Sequence, residues 1–113
     1  MNLTEAKEHI ISEGTSSNSI AVTVRMGDDP GKDRIKGIIE AIDVLIENED
    51  LGSPIDRNIA YSLFVIAHET EVQSASWQTD KQWRNGGFCD DLIELQGKVE
   101  EYLMGSIKYE QDT

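Results

Sequence analysis

Six large aliphatic residues, Ile35, Ile38, Ile39, Ile42, Leu45 and Ile46, recur at helical spacing in one stretch, and nothing else limits the fold of this chain so strongly. Spacings of three and four put them on one side of an α-helix, with Lys36, Glu40, Asp43 and Glu47 on the other. A stripe of that width has to be covered by other elements. The preceding turn, Gly27-Asp28-Asp29-Pro30-Gly31, predicts where the helix starts, with Asp29 as N-cap and Pro30 in the first helical position. The run from Asn48 to Gly52 ends it.

Three further segments share this period. Thr4 as N-cap, followed by Glu5 and Glu8, predicts a short helix to about residue 13. Ala6, Ile10 and Leu3 would face inward, and Gly14 would stop the helix. Ser53-Pro54-Ile55-Asp56 reads as a cap, a proline and an acid opening a second long helix over residues 55–76. The middle of that helix, Leu63 to Ala67, is apolar nearly all round, which predicts the central helix. Its short connection to the isoleucine helix predicts antiparallel neighbours. A last helix over residues 88–104 carries Leu92, Leu95, Val99 and Leu103 inward and Asp91, Glu94, Lys98 and Glu101 outward.

Residues 20–26 are ambiguous. Ile20, Val22, Val24 and Met26 alternate with Ala21, Thr23 and Arg25, which is the strand period in β-branched residues. A lone strand leaves its backbone groups unpaired and needs a partner. The segment is therefore either a short buried helix capped by Ser17 or Asn18, the favoured reading, or an edge strand awaiting another chain. The expected fold is all-α, four to five helices in a single domain over residues 1–113, with or without one short edge strand at 20–26.

The chain has 113 residues, of which 22 are Asp or Glu and 10 are Lys or Arg, a formal charge of −12. From residue 37 to residue 56 there are six acids, Glu40, Asp43, Glu47, Glu49, Asp50 and Asp56, and no base. Helices normally intersperse Lys with Glu and gain a few tenths of a kcal/mol from each pair at i and i+4. Here those pairs are forgone. A concentrated negative surface repels nucleic-acid phosphates and anionic lipid, and speeds the capture of basic proteins. The leading residues show no basic segment followed by an apolar run, and the longest apolar stretch is far too short to span a bilayer. One cysteine, Cys89, cannot form an internal disulfide. Cytoplasmic residence is the expectation.

Motifs of catalysis and metal binding are wanting. His68-Glu69-Thr70-Glu71-Val72 has Val72 where a zinc-protease helix needs its second histidine. Cys89 is flanked by Asp90 and Asp91, which oppose thiolate formation. His9, among Glu5, Glu8 and Glu13, suits a surface salt bridge. The acids near Asp28 and Asp50 lack the alternating spacing of a calcium loop. No enzyme activity, cofactor or metal is expected. Trp77, Trp83 and Arg84 stand in a polar, glycine-rich connection, where Trp and Arg can anchor an interface.

In size, helical make-up, acidity and lack of a catalytic motif, the chain resembles the small acidic immunity proteins with which bacteria neutralise contact-dependent or polymorphic toxins. The resemblance implies an inhibitor that covers the basic active site or RNA-binding groove of a toxin nuclease with carboxylates. The candidate contact residues are Glu40, Asp43, Glu47, Glu49 and Asp50, with Trp83 and Arg84 as anchors. Two other classes share the acidity: a phage-type mimic of nucleic acid that occupies a host DNA-binding protein, and a small adaptor or oligomerising subunit that pairs through residues 20–26.

Overall fold

The structure is a computed structural model that describes residues 1–50, 52–77 and 88–111, with side chains up to residue 73 and from 90 to 105. Among the described residues it is all-α. The helices are α1 (Leu3–Thr15), α2 (Ile20–Arg25), α3 (Lys32–Asn48), α4 (Arg57–Trp77) and α5 (Phe88–Gln111). The ambiguous segment is α2, a helix and not an edge strand. Its cap is Ser19, one residue beyond the expected pair, whose hydroxyl accepts from the Val22 amide at 3.3 Å. The alternating pattern misleads because α2 is short and tucked against α1 and α4, so Ile20, Ala21 and Val24 are buried at helical spacing.

The termini of α1, α3 and α4 shift by at most two residues from those expected, and the end of the last helix by seven. Asn2, not Thr4, caps α1 in a reciprocal box: Asn2 Oδ1 accepts from the Glu5 amide at 2.8 Å, and Glu5 Oε1 accepts from the Asn2 amide at 3.3 Å. Asp29 does not cap α3. It closes a local turn by accepting from the Gly31 amide at 2.8 Å, and α3 begins at Lys32 behind Gly31. Gly27 and Gly31 hold φ of 83° and 85°, a region costly for residues with a Cβ. At Gly27 this conformation lets the Gly27 and Asp28 amides reach back to the carbonyls of Val24 (3.0 Å) and Thr23 (3.1 Å), closing α2. Asp56 opens α4, accepting from the Asn58 amide at 2.8 Å. α5 runs past the expected end at residue 104, through a break at Gly105 where φ is 25°.

The core is one cluster drawn from every helix, including Ala6, Ile10, Ile20, Val24, Ile35, Ile38, Ile42, Leu45, Ile59, Leu63, Ile66, Leu92, Leu95 and Val99. In the stripe of α3, Ile35, Ile38, Ile39, Ile42 and Leu45 are buried and Ile46 is partly buried, as the period predicts. The expected pairing of α3 with α4 is not what forms. Each of these helices packs instead on α1 and on α5, so the two stand at diagonal corners of a four-helix square, with α2 laid over α4 and α1. Nor is α4 enclosed: Tyr61 and Phe64 are each 59% exposed and Val72 is 48% exposed.

Gly14 lies inside α1 and does not stop it. A Cβ there would sit 2.6 Å from both Cα and Cβ of Ser62 on α4, so the glycine permits the closest approach of the two helices. Nearby, an ion pair ties α1, α2 and α3 together. Glu13 is 6% exposed and takes Arg34 in a two-pronged grip, Nε to Oε2 at 2.8 Å and Nη2 to Oε1 at 2.7 Å. The same carboxylate accepts the Ile20 amide at the start of α2 at 3.0 Å, and Arg34 Nη1 donates to Thr23 Oγ1 at 3.1 Å. The hydrogen bonds to Glu13 raise the Arg34 pKa above its ordinary value.

Candidate partner-binding surface

The outer face of α3 presents Glu40, Asp43 and Glu47, as their spacing predicts. Glu40 and Glu47 are exposed, and among the described residues neither forms an ion pair. Asp43 is half-buried and accepts Lys98 Nζ of α5 at 2.8 Å, while Glu101 approaches the same ammonium at 3.7 Å. The hydrogen bond from Lys98 to Asp43 is the main reason that the lysine's pKa is raised. Asp43 meets Lys98 and, further along both helices, Glu49 meets Tyr102, so α3 and α5 run in the same direction. One turn before the Asp43–Lys98 pair stand Glu40 on α3 and exposed Glu94 on α5. One turn after it stand Glu47 and exposed Glu101. The surface is therefore a two-helix acidic ridge with a single lysine at its centre.

Glu49 and Asp50 do not extend this ridge as free carboxylates. Glu49 turns toward the bundle, accepting Lys7 Nζ of α1 at 3.2 Å and the Tyr102 hydroxyl of α5. Asp50 is committed to its own turn, accepting from the Gly52 amide at 2.9 Å and the Ser53 hydroxyl at 3.3 Å. Both have local structural roles. Trp83 and Arg84 lie outside the described residues, as does the side chain of Trp77. Sequence reasoning missed Glu94 and Glu101 as members of the patch, because only the packing of α5 on α3 brings them there. Their outward positions on the last helix were the one available signal.

The Glu49–Tyr102 contact has a consequence at high pH. Tyr102 is 3% exposed. Its burial, then its hydrogen bond to Glu49 and the charges of Glu49 and Asp56, hold its ionisation well above the ordinary tyrosine range. Because the folded phenol keeps its proton longer than the unfolded one, its stabilisation is complete below about pH 10. It is lost as the pH rises from there toward the folded value. Tyr102→Phe should lower stability at pH 8 by about 1 kcal/mol. It should also shrink the loss between pH 8 and pH 11, measured as urea midpoints of the two proteins. An equal loss in both would contradict this assignment.

The remaining sequence candidates have plain roles. Glu69 pairs with Arg25 Nη2 at 2.7 Å, and His68 stacks on Phe64 with ring centres 5.4 Å apart and planes 10° from parallel. The salt bridge expected of His9 does not form: its Nε2 is buried without a hydrogen-bond partner among the described residues, on the side of α1 that faces Gly37. Among the described residues no group of three His, Cys, Asp or Glu is placed to hold a metal ion. Among the same residues no helix is long and apolar enough to cross a membrane. Comparison with protein families, curated proteins and solved structures finds no match for this chain.

Proposed function

We propose that this chain is a cytoplasmic immunity protein, not an enzyme, which binds a basic toxin and blocks its active site or nucleic-acid groove, the toxin being most readily a nuclease. The observation that carries the reading is the α3–α5 ridge, where Glu40, Glu47, Glu94 and Glu101 surround one neutralised pair. Carboxylates spaced along two parallel helices can take the place of successive phosphates in a cationic groove, and their field speeds encounter. The proposed contact set differs from the one the sequence predicts in its acids, while Trp83 and Arg84 stay as proposed anchors. Glu40, Asp43 and Glu47 remain, Glu94 and Glu101 join them, and Glu49 and Asp50 shape the end of the ridge.

The test is protection. Cells making the toxic domain encoded beside this gene should survive when the chain is co-expressed. The variant carrying Glu40→Gln, Glu47→Gln and Glu94→Gln should protect poorly while accumulating to the same level. If no toxic domain is encoded there, or the chain gives no protection against it, the reading fails. The adaptor alternative loses its main support, since Ile20–Arg25 is a helix with a buried face and offers no strand edge. A nucleic-acid mimic would use the same ridge, and the identity of the partner separates it from an immunity protein.

A further inference from the structure

Among the described residues, four of the five helices are enough to close the bundle. α1 packs on α3 and α4, α5 packs on the same two, and none of those contacts runs through α2. α2 is six residues long, too short to persist as a helix without packing. It lies mainly on α4 and also on α1. Three buried side chains, Ile20, Ala21 and Val24, hold it there, while residues 25–29 are exposed.

The polar ties of this segment end on groups that belong to the four-helix square. The Ile20 amide donates to Glu13 Oε1 at 3.0 Å, Arg34 donates to Thr23 Oγ1 at 3.1 Å and to the Asn18 carbonyl, and Arg25 reaches Glu69 at 2.7 Å. Glu13 and Arg34 stand on α1 and α3, so their two-pronged bond does not need α2. Lifting α2 exchanges three hydrogen bonds and one exposed ion pair for water and leaves no buried charge alone. The amides of Thr23, Met26, Gly27 and Asp28 bond to carbonyls of residues 19–24, so the segment can leave without breaking a rung of another helix. Both ends can turn. Ser16, Ser17 and Asn18 form a polar connector on one side. On the other, Gly27 and Gly31 hold positive φ, and a Cβ at either would meet nothing within 4 Å. We infer that residues 16–31 are a strap that opens as one unit over a square that stays folded. α2 unravels as it lifts, the Glu13–Arg34 pair clasps the base of the strap, and the seam between α1 and α4 is uncovered. The inference is independent of the α3–α5 ridge.

Native-state amide exchange of the full chain, followed by NMR in urea below the unfolding transition, tests this device. The Thr23, Met26, Gly27 and Asp28 amides should report one shared opening equilibrium. It should be about a hundred-fold more populated than the opening of Ile42 and Leu45 in α3, and should depend only weakly on urea. Val99→Ala in α5 weakens the square, which the closed and open strap share. That variant should speed exchange at Ile42 and Leu45 about ten-fold and leave the strap amides unmoved. Gly97→Ala, which strengthens α5, should slow Ile42 and Leu45 about three-fold and again leave the strap unmoved. Strap amides that follow Ile42 and Leu45 in urea and in these variants would overturn the inference. Four unrelated opening constants would overturn it too, since they describe fraying residue by residue.

Discussion

Arg34→Met is expected to destabilise the protein by about 3 kcal/mol, the lower end of the range for breaking a buried ion pair. For a chain of this size that lowers the melting temperature by roughly 12 °C. The reason is the partner left behind. Glu13 would remain buried at 6% exposure, with the Ile20 amide as its other donor among the described residues. The lower end applies because the Arg34 side chain keeps 30% of its exposure, so water can reach part of the site. Adding Glu13→Leu to Arg34→Met should restore most of the loss, since removal of both charges leaves no buried ion uncompensated. Thermal unfolding of the two variants by circular dichroism decides the point. If Arg34→Met melts with the wild type, the clamp joining α1, α2 and α3 does not hold the fold as described.

The second large effect is a change of sign between two glycines in helices. Alanine is the better helix former by up to about 1 kcal/mol, so propensity alone favours both replacements. At Gly97 in α5 an added Cβ meets nothing within 4 Å. Gly97→Ala should therefore stabilise by roughly 0.5–1 kcal/mol. At Gly14 the same carbon lies 2.6 Å from Ser62 Cα and 2.9 Å from the Ser62 carbonyl oxygen, and backbone cannot step aside as a flexible side chain can. Gly14→Ala should cost about 2–3 kcal/mol through forced separation of α1 and α4. Urea denaturation of both variants checks the pair. A Gly14→Ala protein as stable as the wild type would mean that the two helices do not approach so closely.

These two sites mark where reading the sequence stopped short. The stripe from Ile35 to Ile46 and the inward residues of α5 were legible, because burial of one helix face imposes its period on the sequence. Glu13 and Gly14 stand on the same inward side of α1 as Ala6 and Ile10, and that position was the clue to both. An acid there needs a buried partner, and a glycine there marks a close approach rather than a stop. The partner, Arg34, is 21 residues away, and nothing in local spacing names it. The same gap explains the acidic patch. An absence of bases between residues 37 and 56 does not mean an absence of bases near those acids in space: Lys7 and Lys98 arrive from α1 and α5. The diagonal placement of α3 and α4 was hidden too, since loop length alone cannot distinguish a neighbour from a diagonal crossing.

The ridge on α3 and α5 is the centre of the functional account, and ionic strength tests it most directly. The measurement is the stopped-flow association rate of the purified chain with the toxic domain it protects against, between low and high salt, for the wild type and the variant with Glu40, Glu47 and Glu94 changed to Gln. The wild-type rate should fall steeply with salt. The variant should be about ten-fold slower at low salt and converge on the wild type at high salt. Equal rates for the two proteins at every salt concentration would contradict it.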